Sequence, residues 1–296
     1  MGDMDGKVVV ITGGNSGIGK ETAVQLAERG ATVAITSRDA TRGAEAAADI
    51  AKRGGVAEVP VLPLDLGSFE SVRGCADAVL TKFDRLDVLV NNGGAVLSKP
   101  ATTTEGFEMT VGANHLGHFL LTSLLLDRLR AAGDARVVTV ASIAHRGARG
   151  VAKDDFYPAD GYRAMRAYST SKLANLLFAR ELAKREKAAG SDVTSFAVHP
   201  GGVRSDFGLH GDTNPLMQIG IRLMAPLYIS NSAGAGPSVY AASQPGLESQ
   251  TGAYLQRTVA GNWGPVKIVQ PSSSAQDDIA AGALWELSEE LIQTAS

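Results

Sequence analysis

The sequence predicts an α/β fold: a doubly wound three-layer sandwich around a mainly parallel, seven-stranded sheet. Three observations predict it. The stretch Val8 to Gly30 runs from apolar residues through a Gly-rich turn into a helical pattern, which is one supersecondary unit. The same strand-then-helix rhythm recurs over the first two thirds of the chain, and alternation at that pitch means parallel strands joined by covering helices. No linker or composition shift divides the 296 residues, 44% of them hydrophobic, so the chain can bury one large core.

Taken in order, Val8 to Thr12 form the first strand, and Lys20 to Arg29 follow as a helix with apolar residues at helical intervals. Between them Gly13, Gly14, Gly17 and Gly19 let backbone approach a ligand, and the helix start offers unpaired N–H groups and a partial positive charge to a phosphate. The same glycines serve equally in a structural turn. Their spacing lacks the Gly-Lys-Ser/Thr ending of a triphosphate loop, so a dinucleotide is the better fit. Thr32 to Ser37 form the second strand, Ala44 to Lys52 a helix of small residues, and Val59 to Leu64 the third strand. Phe69 to Phe83 form a helix with Val72, Ala76, Val79 and Leu80 as its apolar positions, and Leu86 to Asn91 the fourth strand. Glu105 to Val111 start another helix, with Thr102 and Glu105 spaced as a capping box. After the richly apolar His115 to Leu129 come a fifth strand (Ala135 to Val140), a long helix (Ala167 to Arg185) and a sixth strand (Val193 to Val198). Gly201 to Tyr228 show no clean strand and read as a lid, set at 202–230, with Leu209, Leu216, Met217, Ile221, Leu223 and Met224 as soft apolar surface for a substrate or another subunit. Ser232 to Ala242 form a helix, Val266 to Val269 a short closing strand, and Ala280 to Leu291 a final helix in which Trp285 is a packing contact.

Charge and cysteine content exclude several classes of function. With 28 basic against 31 acidic residues, the chain has no bulk electrostatic case for nucleic acid. The single cysteine, Cys75, excludes an intramolecular disulfide and a multi-cysteine zinc centre, and it sits in an amphipathic helix where burial is expected. His115, His118, His145, His199 and His210 form no zinc-ligand pattern, so no metal is expected, and no Gly-x-Ser-x-Gly elbow points to a hydrolase. The short acidic start is not a secretory signal, and no apolar run is long enough to span a bilayer, so the expectation is a cytoplasmic protein without an integral membrane segment.

In this architecture ligands bind at the carboxyl ends of the strands. The second strand ends in Ser37-Arg38, whose guanidinium can pair bidentately with a ribose 2′-phosphate, while Ser37 adds a small hydroxyl donor. A solvated arginine neutralised by Asp39 is the competing reading. Asp65 follows the third strand, placed to accept from an adenine amino group, and Asn91-Asn92-Gly93-Gly94 follows the fourth, where amides can brace the chain and glycines can pass close to a ribose or nicotinamide. Tyr168 and Lys172 stand four apart on one helix face, so the ammonium can favour the ionised phenol, which otherwise titrates near pH ~10. Ser142 supplies a hydroxyl just past the fifth strand, and Asn114 can interrupt helix bonding and anchor a water linked to Lys172.

These motifs in this order resemble the short-chain dehydrogenase/reductase family: TGGNSGIG at Thr12 to Gly19, NNGG at Asn91 to Gly94, Asn114, Ser142, and YSTSK at Tyr168 to Lys172. SRDATRGAEAA at Ser37 to Ala47, VGANHLGHFLLTSLLLDRL at Val111 to Leu129, YSTSKLANLLFARELAKR at Tyr168 to Arg185 and HPGGVRSD at His199 to Asp206 resemble the branch of retinol dehydrogenases and protochlorophyllide reductase-like proteins. The resemblance implies one Rossmann-type catalytic domain over 1–296 that uses NADP(H) on small hydrophobic aldehydes, ketones or alcohols. It implies Tyr168 as acid/base, Lys172 lowering the phenol pKa and holding nicotinamide ribose, Ser142 polarising the substrate oxygen, and Asn114 supporting a proton relay. Gly13, Asn15, Ser16, Gly17, Ile18 and Gly19 then surround the adenosine and pyrophosphate. Asp65 and Leu66 meet the adenine, and Asn92, Gly93 and Gly94 the crossing towards nicotinamide, which Pro200, Gly201, Val203 and Ser205 frame.

Two departures retain the chemistry: Gly93 replaces the alanine usual in NNAG, and Ser205 replaces a threonine common after the PG segment. The segment between Ser142 and Tyr168 is longer than in compact members and reads as a solvated loop shielding the long helix, with Arg146, Arg149, Arg163 and Arg166 along it. In many members that helix packs across a dimer interface, so homodimer and monomer both stay open. The function expected is hydride transfer between NADPH and a carbonyl carbon. The alternative from another class is a non-catalytic NADP-binding regulator or scaffold, against which the intact Tyr168, Lys172, Ser142 and Asn114 argue.

Overall fold

Seven parallel strands join one antiparallel edge strand in a single sheet. They are β1 (Val8–Ile11), β2 (Thr32–Ser37), β3 (Val61–Pro63), β4 (Val88–Asn91), β5 (Arg136–Val140), β6 (Thr194–Val198), β7 (Tyr254–Val259) and the antiparallel β8 (Trp263–Val269), in the order β3-β2-β1-β4-β5-β6-β7-β8. This computed structural model describes residues 2–203, 229–259 and 261–295. The expected lid therefore lies almost wholly outside the described residues, as do its six apolar side chains, Ser205 and His210.

Alternate strand residues feed two cores, as the period of a strand requires. Val10, Leu89 and Val137 face a layer built by α3 (Phe69–Lys82), α5 (Gly117–Ala132), α6 (Ala164–Ala188) and α8 (Asp278–Thr294). Val9, Ile11, Val88, Val90, Val138 and Phe196 face the opposite layer of α1 (Gly17–Ala27), α2 (Ala40–Gly54) and α7 (Asn231–Ser243). The strand order reverses between β1 and β4, which opens a crevice at the carboxyl edge between their loops.

Among the described residues the sheet has eight strands rather than the seven expected, because β7 carries little apolar signal. Only Tyr254 and Leu255 are buried and paired with β6, whereas Gln256, Arg257, Thr258 and Val259 lie on a progressively exposed hairpin. Its partner β8 starts at Trp263, three residues before the expected closing strand, and is mostly exposed. The capping box at Thr102 and Glu105 is also replaced. Glu105 accepts from the N–H of Phe69 at 2.6 Å and so serves the start of α3. The short helix α4 (Met109–Val111) is capped instead by Glu108, whose carboxylate accepts from Thr110 (2.9 Å) and Val111 (2.8 Å).

Between Ser142 and Tyr168 the chain forms two 3-10 turns, Ile143–Gly147 and Lys153–Phe156. The second drives Phe156 to full burial against His115, so the segment is part of the core rather than only a solvated loop. Helix α8 covers α6 through Trp285, which stacks on Phe178 at 5.8 Å, meets Phe119 edge-on at 4.8 Å and lies under Arg185 at 4.6 Å. Cys75 is buried, which pushes its thiol up to about 12. Among the described residues no helix is long and apolar enough to cross a membrane.

Candidate active site

The loop after β1 is shaped by backbone that no side chain can enter. Gly13 and Gly17 have φ of +63° and +56°, and a Cβ on Gly13 would stand 2.9 Å from the Cα of Gly93. Gly13 N–H donates to the buried Thr36 hydroxyl on β2 at 3.1 Å. The N-cap of α1, Ser16, makes no side-chain capping bond, whereas Asp39, Ser68, Ser230 and Asp277 each cap the helix they precede. The first turn of α1 thus keeps its N–H groups and partial positive charge open to an anion.

A buried polar chain holds this loop to the neighbouring ones. Thr12 Oγ1 accepts from the N–H groups of Asn92 (2.9 Å) and Gly93 (2.8 Å) and lies 2.8 Å from His118 Nε2. His118 Nδ1 donates to the carbonyl of Asn114 at 3.0 Å, which leaves Nε2 of the neutral ring as an acceptor facing Thr12, whose hydroxyl also lies 3.3 Å from the Val90 carbonyl. Burial holds its pKa down to about 4. Asn92 contributes a brace: its Nδ2 donates to the Thr12 carbonyl at 2.9 Å. The sequence alone does not mark Thr12, Thr36 and His118 as site residues, since each acts through partners remote along the chain.

Asn114 sits in a π turn (Gly112–Leu116) between α4 and α5, the interruption of helix bonding anticipated for it. Its amide grips Ala95 from both sides, Oδ1 accepting from the N–H at 2.7 Å and Nδ2 donating to the carbonyl at 3.0 Å. Nδ2 also donates to Ser171 Oγ at 3.0 Å, and that hydroxyl donates to the Tyr168 carbonyl at 2.8 Å. The Asn114 side chain thereby ties the π turn to the helix that carries Tyr168.

Tyr168, Lys172 and Ser142 are brought together where α6 crosses the end of β5. Lys172 Nζ, buried and 5.6 Å from the Tyr168 ring centroid, donates to the carbonyl of Val140 at 2.9 Å, and Asn175 donates to the same oxygen at 3.1 Å. Burial lowers the Lys172 pKa to about 8. Tyr168 departs from the expected lowered pKa: burial raises it, and the hydrogen bond with Ser142 offsets only part of the rise. The low-dielectric surroundings disfavour the phenolate more than its neighbours favour it. Ser142 Oγ accepts from the N–H of Ala144 at 3.2 Å, which leaves its proton for the Tyr168 oxygen.

The remaining residues from the sequence line the same edge, with some changed roles. Ser37 donates its proton to the Asp39 carbonyl at 2.7 Å, so its hydroxyl shapes the turn instead of offering a free donor. Asp39 accepts from the N–H of Arg42 at 2.9 Å as the cap of α2, while Arg38 is exposed. Asp65 is exposed, one carboxylate oxygen accepting from Gly67 N–H at 2.9 Å, and Leu66 lies where a Cβ on Gly93 would strike it at 2.8 Å. A Cβ on Gly94 would stand 2.9 Å from Asn114 Oδ1. Beyond β6, Pro200 and Gly201 turn under the β7–β8 hairpin, Asn262 Oδ1 accepts from Gly202 N–H at 2.5 Å, and Val203 bridges to Ile229.

Likeness to known proteins places a fold with this crevice and this Tyr-Lys-Ser cluster among nicotinamide-dependent oxidoreductases. The model of the short chain dehydrogenase family matches residues 7–210, and the chain belongs to the short-chain dehydrogenase/reductase family, in its retinol dehydrogenase branch. It is 43% identical to retinol dehydrogenase 12 of Mus musculus, over 97% of this chain and 86% of that one. A crystal structure of an uncharacterized protein from Mycobacterium paratuberculosis superposes with a TM-score of 0.77 at 40% identity, over 98% of this chain and 94% of that one. The Pseudomonas aeruginosa RhlG/NADP active-site complex superposes with a TM-score of 0.65 at 26% identity, over 84% and 94% of the two chains.

Proposed function

We propose that this chain is a single catalytic domain that transfers a hydride between NADP(H) and a small hydrophobic aldehyde, ketone or alcohol, with Tyr168 as the acid/base. The observation that carries the reading is the Tyr168 phenol, kept protonated by burial, hydrogen-bonded to Ser142 and backed by the buried Lys172. The Gly13–Gly93 approach and the uncapped start of α1 suit a dinucleotide, which would lie along Gly13 to Gly19 and pass Asp65, Leu66, Asn92, Gly93 and Gly94 towards Pro200, Gly201 and Val203. When bound, the nicotinamide supplies or accepts the hydride.

In carbonyl reduction a protonated phenol is the form required, and Tyr168 holds its proton at neutral pH. Proton donation to the substrate oxygen leaves a phenolate, which the Ser142 hydroxyl and the Lys172 charge stabilise. That help requires a charged lysine. Because burial brings Lys172 down to about 8, kcat/KM for reduction is expected to fall as pH rises through that value. A pH–rate profile checks this, and a flat profile well beyond it would remove Lys172 from the chemistry. The hydrophobic substrate class is supported by Ile143 and Met165, 49% and 57% exposed beside Ser142 and one turn before Tyr168, and by the retinol dehydrogenase relatives.

NADP(H) over NAD(H) rests on Arg38. Its guanidinium stands exposed at the end of β2, and the one acid beside it, Asp39, is engaged in capping α2 rather than turned towards a ribose. A charge-assisted bond to a 2′-phosphate is worth about 1.5–3 kcal/mol, or roughly 10 to 150-fold in affinity. Arg38→Ala is expected to lose most of this preference with little change in NADH binding. Dissociation constants of both reduced cofactors with both proteins check it, and a wild type that binds NADH more tightly would defeat the assignment. The reading as a whole is tested by following NADPH consumption with retinal, aliphatic aldehydes, quinones and steroid ketones. Nucleotide binding without turnover across that panel would favour a non-catalytic NADP-binding protein.

A further inference from the structure

The geometry points to His145 as a positioning residue for this site, its imidazole joining the Ser142 carbonyl to the Ser272 N–H so that the Ser142 turn is fixed to the segment after β8. The inference rests on the reading of Ser142 as the hydroxyl partner of Tyr168. His145 is fully buried in the 3-10 turn Ile143–Gly147, with Nδ1 2.6 Å from Ser142 O and Nε2 3.1 Å from Ser272 N. A carbonyl oxygen only accepts and an amide N–H only donates, so one tautomer satisfies both ends: Nδ1 carries the proton and Nε2 offers its lone pair. A second proton would set N–H against N–H.

The groups around the ring favour that neutral form. Burial opposes protonation most strongly and the Arg146 charge adds to it, outweighing the Ser142 carbonyl, which favours the proton; among the described residues the other titratable neighbours are Tyr254, edge-on at 5.5 Å, and His199. Two further bonds join the same segments: Arg146 donates to the Gln270 carbonyl and Ser274 Oγ to the Arg149 carbonyl, each at 3.2 Å. The clamp holds Ser142 from its carbonyl side while Ala144 N–H holds its hydroxyl. Both ends of the residue that faces Tyr168 are therefore set by contacts, and loosening one lets the hydroxyl drift from the phenol.

Three variants separate the two ends of the ring. His145→Asn keeps an amide donor near the Nδ1 position, His145→Gln carries its amide out to the Nε2 position, where its oxygen can accept from Ser272, and His145→Ala keeps neither. A misplacement of catalytic groups by ~1 Å can cost up to about 100-fold, so the Ala and Gln variants are expected to lose about 10 to 100-fold in kcat for carbonyl reduction, with NADPH affinity unchanged. The Asn variant should recover most of that loss at a melting temperature matched to the Gln variant. Nitrogen-15 NMR of the wild-type imidazole, which needs neither a variant nor turnover, should show the Nδ1–H tautomer at neutral pH. An imidazolium or the Nε2–H tautomer would overturn the clamp, as would Asn and Gln variants with the same kcat. A wild type without carbonyl turnover would instead reject the reading of the site itself.

Discussion

Tyr168→Phe is expected to lower kcat for carbonyl reduction by about 10²- to 10⁴-fold, the range for loss of a general acid. The ring keeps its place over Lys172 and its packing on α6, while the hydroxyl that meets Ser142 is removed. NADPH affinity and thermal stability should stay near wild type, so the loss belongs to turnover. Steady-state kinetics with a thermal melt and a cofactor titration check all three quantities. A mutant kcat within about twofold of wild type, with chemistry rate-limiting, would remove Tyr168 from the acid/base role.

Trp285→Ala is the substitution with the largest expected effect on stability, a loss of about 3–5 kcal/mol. The indole is the largest apolar side chain that α8 buries, stacked on Phe178, edge-on to Phe119 and beneath Arg185, and its N–H donates to Glu289 at 2.8 Å. Truncation leaves a cavity between α8 and α6 and frees Arg185 from its stack. Equilibrium unfolding in urea checks the value, and a loss below about 1 kcal/mol would make α8 an appendage rather than part of the core.

What was legible in the sequence was local. The Gly-rich turn, the four-residue spacing of Tyr168 and Lys172 and the strand ends that carry Arg38, Asp65 and Asn92 all depend on neighbours along the chain. Trp285 and Cys75 were legible as packing residues because each lies in a helical apolar pattern, and both are buried. In the sequence His118 stands out only as one of five histidines without a zinc-ligand pattern. Its link to Thr12 spans 106 residues and exists only once β1 and α5 pack together.

Other differences have equally specific causes. β7 leaves little trace in the sequence because a hairpin whose outer half is solvated needs no apolar alternation beyond Tyr254 and Leu255. Glu105 had the right spacing for its own helix, but it caps α3, a partner that spacing along the chain cannot reveal. The direction of the Tyr168 pKa also reversed. A lysine four residues away can be read from the sequence, but the burial that raises the phenol and lowers the lysine is a property of the folded core.

Label transfer tests the proposed chemistry most directly. NADPH carrying deuterium at the transferable C4 position, incubated with the protein and a hydrophobic aldehyde or ketone, is predicted to yield an alcohol with deuterium on the carbinol carbon. The transfer should be nearly abolished in Tyr168→Phe under single-turnover conditions. Bound NADPH that delivers no deuterium to any member of a broad carbonyl panel would contradict the account.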